Sequence, residues 1–475
     1  MSINRSATNG LITGTTLADI TTSRQYNGFG EIDAVGASHA GEGELYQASY
    51  IRDKLGRITQ KTEKLPSPTS GEAGEEPGER VETTTVYGYD TAGRLQTVTR
   101  NGATITYSYD ANGNRLSKAD PSGTVTGQYD EQDRLTQYGN NSYEYNANGD
   151  LMAKNTQAGT IEYDYDVFGN LISATVPSPL IEEAGEGQGE GAVEIDYLID
   201  GQNRRVGKIV NGTQVQGFLY KDQLNPIAEL DGSGNVVSRF VYADKANIPS
   251  YMIKGGQTYR IISDHLGSPR MVVNTANGAI AQEMDYDTFG NITKDTNPGF
   301  QPFGFAGGIY DQHTKLTRFG ARDYDAETGR WTTKDPIRFD GGDTSLYGYA
   351  FADPVNMLDL DGRVAIAVPV GLAVATGFAA AWWSATNPFT NPPMWNENGS
   401  EGSEDSAVYP DNPETSPDDF DRIRGTRAKQ CEDGSVWEKD TSSHGGEQWK
   451  RWPNRKSWER GDRPTSVWPD GRVRK

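Results

Sequence analysis

Thr104-Ile105-Thr106-Tyr107-Ser108-Tyr109 alternates polar and apolar residues, the period-two pattern of a strand with one buried face. Asp110-Ala111-Asn112-Gly113 interrupts it, and a second strand-like run begins at Arg115. Asp110 can bond the backbone two residues on, and Gly113 accepts positive φ without steric cost. The same strand-turn-strand phrase recurs as YIRDKLGRITQKT from Tyr50, YGYDTAGRLQTVT around Asp90, QYDEQDRLTQY around Asp130, YEYNANGDLMAK around Asn146 and YDYDVFGNLISA around Asp166. From 90 to 130 the marker aspartates fall 20 apart, so the chain carries an internal repeat of hairpins. A lone hairpin is marginal in water, so the units are expected to stack and bury their Tyr, Leu and Ile faces together.

The repeat sets the expected domain map. Residues 1–44, rich in Gly, Thr and Ser, read as an irregular N-terminal segment, and 45–317 as the β-hairpin array. Two acidic, Gly- and Pro-rich stretches at 63–82 and 179–191 interrupt the period and read as surface loops. Residues 318–362, RFGARDYDAETGRWTTKDPIRFDGGDTSLYGYAFADPVNMLDLDG, close the array. An apolar segment, 363–384, follows and includes VAIAVPVGLAVATGFAAAWW at 364–383, about twenty residues without a charge. Three readings stay open for it: packing inside the array, help in entering a membrane, or a true anchor. Residues 385–421 read as a disordered acidic linker, and 422–475 as a small separate domain.

Composition agrees with many short strands: Gly 56, Tyr 24 and only 34% hydrophobic residues. A chain of 475 residues calls for more than one core. The net charge of −21 is uneven, because residues 422–475 hold 14 Lys and Arg against 8 Asp and Glu. An acidic body with a basic end directs attention to the end as the part that meets a polyanion, although basic residues also serve plain solubility. Cys431 is the single cysteine, which excludes an internal disulfide and a cysteine-based zinc site. MSINRSATNGLITGTT has neither the basic nor the apolar region of a signal peptide, so export is expected by a route without a cleaved leader.

The words GARDYD, GRW, DPI, GGDTSLYGY and DPVN, with the closing Asp-Gly, resemble the core-terminating motif of Rhs or YD-repeat polymorphic toxins. Ser263-Asp264-His265-Leu266-Gly267-Ser268-Pro269-Arg270 looks like another phrase of that core, with His265 as a structural turn residue. The resemblance implies a mainly β fold, a partial shell of stacked YD-repeat hairpins plus a small C-terminal α+β or all-β toxin domain. It also implies self-cleavage of aspartyl-protease type by Asp335 and Asp359, two carboxylates sharing one proton. The family's motif usually ends in Asp-Pro-x-Gly-Leu, whereas this chain reads Asp359-Leu360-Asp361-Gly362-Arg363.

In the tail, Trp437, Trp449, Trp452, Trp458 and Trp468 are interleaved with cations, which suits stacked bases and neutralised phosphates as well as the core of a very small domain. Cleavage of RNA by its own 2′-hydroxyl needs a base, an acid and a cation but no metal or other cofactor. His444 titrates near neutrality, Asp440 can orient it, Glu447 can serve as the second acid-base group, and Lys450 can meet the phosphate charge, with Arg451 and Arg472 as further cationic candidates. This order of residues is similar to the nuclease domain of ribosome-cleaving colicins. A His-Asn-His nuclease would need more histidines, and a deaminase its zinc cysteines. The expectation is a toxin made in the cytoplasm, secreted and delivered to a target-cell cytoplasm by a secretion apparatus, acting on rRNA or another RNA rather than DNA, and neutralised by an acidic immunity protein. A tail that binds nucleic acid or protein without cutting, or a silent truncated cassette, are the alternatives.

Overall fold

The computed structural model describes residues 1–66, 80–180 and 191–367, together with 420–422, 429–431, 435–439, 449–452 and 465–467. The chain divides into two compact units, Met1–Thr390 and Asn391–Lys475.

In the first unit, 26 described strands run from Ser2–Arg5 to Ile292–Asp295, and each pairs antiparallel with the next. The marker aspartate builds each turn. Asp110 Oδ1 accepts the N–H groups of Asn112 and Asn114, both at 2.9 Å, while its Oδ2 takes the Asn114 side chain. Asp90, Asp130 and Asp200 do the same with an arginine four residues on. The tyrosine that precedes several of these turns has a second task, which explains the pairing of the two residue types. Tyr109 Oη donates to the carbonyl of Leu95 at 2.8 Å, and Tyr89, Tyr129 and Tyr220 reach Ile58, Arg115 and Arg205 in the same way. These turns are thereby tied to the strand of the hairpin before them.

A register shift accompanies these turns, as between Gly88 and Tyr89 or Asp164 and Tyr165. Bulges of this kind increase strand twist, so a long meander built from them coils instead of lying flat. Early and late strands consequently meet. Arg24 and Arg260 share Asp244 at 2.5 and 3.3 Å, Arg100 reaches Asp285 at 2.8 Å, and the rings of Tyr107 and Phe289 lie 5.1 Å apart.

The chain after Asp295 fills the space this coil surrounds. Ile309–Tyr310, Leu316–Phe319, Arg322–Asp325 and Arg330–Trp331 form a four-stranded sheet, and Phe305, Phe319, Tyr324, Trp331 and Tyr349 form one aromatic knot against it. Polar links bind this plug to the repeats: Asp323 to Arg205 at 2.9 Å, Asp311 to Lys208 at 2.7 Å, Asn356 to the backbone of Ile58 at 2.7 Å, and Tyr347 to the carbonyl of Gly149 at 2.7 Å. His265 is likewise structural, buried against Tyr50 with Nε2 at 2.9 Å from the Val355 carbonyl.

Several expected boundaries move. Residues 1–44 are not irregular: Ser2–Arg5, Ile12–Leu17, Ile20–Tyr26 and Ile32–His39 are regular strands, with Asn27 standing where other repeats place Asp and accepting from Phe29 and Glu31. The insertion at 63–82 is shorter than its composition suggests, because one strand continues to Pro66 and the next starts at Arg80. Glu63 is buried there with Tyr46, Lys61 and Arg270, since interior charge that is paired can replace apolar burial. The strand after the second insertion begins at Ala192. Nor does the array run to 317: it ends at Asp295, and the plug sheet crosses the 317/318 boundary. Ile366–Ala367, expected in the apolar segment, pair with Met357–Leu358, and the rest of that segment, from 368, lies outside the described residues. No helix among the described residues is long and apolar enough to cross a membrane.

The second unit contains five short antiparallel strands in chain order, Phe420–Arg422, Lys429–Cys431, Val436–Lys439, Trp449–Trp452 and Thr465–Val467. Val436, Trp437 and Trp452 are buried, so tryptophans supply apolar volume that few aliphatics provide. Its first strand starts within the stretch expected to be linker, at Phe420.

Candidate functional site

Arg322 opens the third strand of the plug sheet and is almost wholly buried over the ring of Trp331, 4.2 Å from its centre. Every arm of the guanidinium is used. Nε donates to the carbonyl of Gly362 at 2.5 Å and Nη1 to that of Leu346 at 3.3 Å. Nη2 meets Asp335 Oδ2 at 2.8 Å and Asp359 Oδ2 at 3.2 Å. Asp335 is set by the turn that follows Trp331: its Oδ1 accepts the N–H of Ile337, and Pro336 fixes the backbone between them. Asp359 directly follows the strand Met357–Leu358. Two aspartates 24 positions apart in the sequence thus converge on one nitrogen.

Their environments separate them. Burial pushes the Asp335 carboxyl up to about 6, with Arg322 opposing. Asp359 is more deeply buried and has Asp361 as an acidic neighbour, and is pushed up to about 8 although Arg322 opposes here too. Burial thus raises both carboxyls and Asp359 further than Asp335, the separation an acid-base pair requires.

The peptide between Gly362 and Arg363 lies in this clamp. Its carbonyl accepts from Arg322 Nε, and its N–H donates to Asp359 Oδ1 at 3.0 Å and to Asp361 Oδ1 at 3.1 Å. Gly362 adopts φ 67°, and a Cβ there would come 2.4 Å from the carbonyl oxygen of Phe319, so no other residue fits. Arg322 escaped the sequence reading because a basic residue within a β-rich motif gives no sign of which carboxylates it will reach. The only signal was its place in the word GARDYD. No group of three His, Cys, Asp or Glu among the described residues is arranged to hold a metal ion.

Of the tail candidates, Lys450 and Arg451 are described. They are consecutive on one strand, and successive side chains point to opposite faces. Lys450 pairs in register with Glu438, and Arg451 with Trp437, whose ring centre lies 5.8 Å from its guanidinium carbon. Asp440, His444, Glu447 and Arg472 lie outside the described residues. The chain segment holding the first three leaves and re-enters the sheet at Lys439 and Trp449, which are register partners.

Comparisons with known proteins agree with the repeat architecture. Teneurin-1 of Gallus gallus is 36% identical over 143 residues, covering 29% of this chain and 5% of the relative. The tRNA3(Ser)-specific nuclease WapA of Bacillus spizizenii is 28% identical over 217 residues, covering 42% of this chain and 9% of the relative. The chain thus spans a small part of the relatives it matches. A structure of the Photorhabdus luminescens Tc holotoxin pore superposes with TM-score 0.60 at 17% identity, over 77% of this chain and 19% of the other. The Teneurin YD-shell family model matches residues 1–355, which takes in the hairpin array and most of its plug, so this chain belongs to the Teneurin YD-shell family.

Proposed function

We propose that this protein is a toxin carrier of the Rhs type that cuts its own chain between Gly362 and Arg363, separating the YD shell from a C-terminal ribonuclease. The observation that carries the reading is the meeting of Asp335, Asp359 and the Gly362 carbonyl on the single side chain of Arg322. Ionised Asp335 takes a proton from water as the water oxygen bonds to the Gly362 carbonyl carbon. Arg322 Nε–H stabilises the oxyanion, and protonated Asp359 gives its proton to the Arg363 nitrogen as the carbon–nitrogen bond breaks. A carboxyl at Gly362 and an amine at Arg363 result. Arg363, where the family's motif has leucine, joins the clamp through its backbone N–H, and its charge also favours the ionised form of Asp335.

For the released part, the basic, tryptophan-rich tail and the likeness to a tRNA-specific nuclease support RNA as the substrate. Asp440, His444 and Glu447 are assigned the acid-base work and Lys450 the phosphate, with Arg451 and Arg472 as further cations and no metal or cofactor. Delivery by a secretion apparatus into a target-cell cytoplasm, and an acidic immunity protein bound to the tail, belong to the same reading, as does membrane contact through 364–383.

Purified full-length chain is expected to yield two fragments on a denaturing gel, with an intact mass ending at Gly362, and to stay whole as Asp335→Asn or Asp359→Asn. A cut that persists unchanged in Asp335→Asn overturns the self-cleavage. Incubated with ribosomes and with tRNA in EDTA, the wild-type chain is expected to release a discrete RNA fragment that His444→Ala does not. Binding without cleavage overturns the ribonuclease.

A further inference from the structure

Eight arginines are buried among the described residues, and six of them pair with a carboxylate: Arg24 and Arg260 with Asp244, Arg205 and Arg318 with Asp323, Arg270 with Asp285, and Arg322 with Asp335. Arg115 and Arg330 do not. Arg115 Nη2 reaches only the Tyr138 hydroxyl at 3.1 Å and the Glu327 carbonyl at 2.5 Å. Arg330 reaches the Asn114 amide oxygen at 2.7 Å and the Asp133 carbonyl. Their guanidinium groups lie over aromatic rings instead, Arg115 4.7 Å from the centre of Phe289 and Arg330 4.7 Å from that of Tyr129. A buried cation left without a counter-charge is among the costlier arrangements a fold can keep.

The repeat supplies an internal comparison. Arg205 stands five residues after Asp200, as Arg115 stands five after Asp110, and the plug gives Arg205 both oxygens of Asp323, at 2.9 and 3.2 Å. At Arg115 the plug presents a backbone carbonyl, and the Glu327 carboxylate turns away to Lys154. In place of a carboxylate there is space. Arg115 and Arg330 line one cavity of about 280 Å³, beside Arg94, which is already paired with Asp90 at 2.7 Å, and with Phe289, Tyr349 and Phe351 as aromatic wall. Asp343, the one carboxylate lining it, makes no ion pair among the described residues and accepts the N–H of Ser345.

We propose that this cavity is an oxyanion site that takes a phosphate group, free or as the monoester of a small ring-bearing molecule. The two guanidinium groups that lack a carboxylate meet the charge, and Arg forks suit phosphate oxygens. The volume exceeds a bare phosphate, and the aromatic wall suits a ring beside it. This site is independent of the proposed self-cleavage.

The test titrates the full chain with inorganic phosphate and, separately, with adenosine monophosphate, at constant ionic strength set by sodium chloride, by calorimetry and by phosphorus NMR line width. Saturable one-to-one binding is expected, tighter for the monophosphate if the ring is held and equal if only the phosphate is. Arg115→Met and Arg330→Met should each weaken it tenfold or more. Should those variants fail to fold, Ala111→Glu places a carboxylate at an exposed position of the lining and should weaken binding by a similar factor. Absence of saturable binding of either probe to the wild type, or binding unchanged in every folded variant, overturns the proposal.

Discussion

Asp335 and Asp359 lie 2.8 and 3.2 Å from the same nitrogen of Arg322, yet burial raises the second carboxyl further than the first. Self-cleavage should therefore follow a bell-shaped pH profile with limbs near about 6 and about 8, where Asp335 ionises and Asp359 loses its proton. Arg322→Lys, which keeps a charge but loses the fork, should slow the reaction by a factor on the order of a hundred. Single-turnover fragment yield against pH measures both. A rate rising steadily to pH 9 would contradict the assignment.

The same carboxyls make the shell less stable as pH rises. Their folded values lie above the unfolded value of 3.8, so between about 4 and 8 the folded chain holds protons that the unfolded chain has lost. Stability falls with pH across that window and levels off above it. In an uncleaved Asp335→Asn background, adding Asp359→Asn should remove most of the remaining fall between pH 4 and 8, while leaving buried Arg322 without a carboxylate lowers stability at both ends of that range. Denaturant midpoints at the two pH values decide it.

Glu63 behaves in the opposite way. Burial alone would raise its carboxyl, but Lys61 and Arg270 hold it well below the usual glutamate range. Its contribution is thus present above the unfolded value of 4.5 and is lost as pH falls through the depressed folded value. Glu63→Ala should cost about 3–5 kcal/mol at pH 7, because it leaves half-buried Lys61 without its carboxylate and takes one of two from buried Arg270, and distinctly less in strong acid. Were Glu63 in a surface loop, urea denaturation would register almost nothing.

Asp110→Ala removes the acceptor for two backbone N–H groups and one side chain, and should cost about 1–3 kcal/mol. Asp110→Asn should cost less, since Asn27 and Asn146 hold equivalent turns. Equal losses in the two variants would show that charge, not the oxygen acceptor, shapes the turn.

The sequence by itself determined the hairpins. A tyrosine, a marker aspartate and the residue four positions on are local neighbours, and the bonds they form close within one turn or reach the hairpin just before, as Tyr109 reaches Leu95. Where Asn replaced Asp, at Asn27, the local signal was weaker and the first strands read as irregular. The words of the closing motif likewise pointed to Asp335 and Asp359. Only the tertiary structure decided what those carboxyls touch, which arginines keep a partner, and that Glu63 lies in the core. Arg322, Arg115 and Glu63 meet their neighbours across long separations in the chain, and the energy of a buried charge depends on those neighbours and on excluded water, neither of which alternation or spacing along a strand encodes.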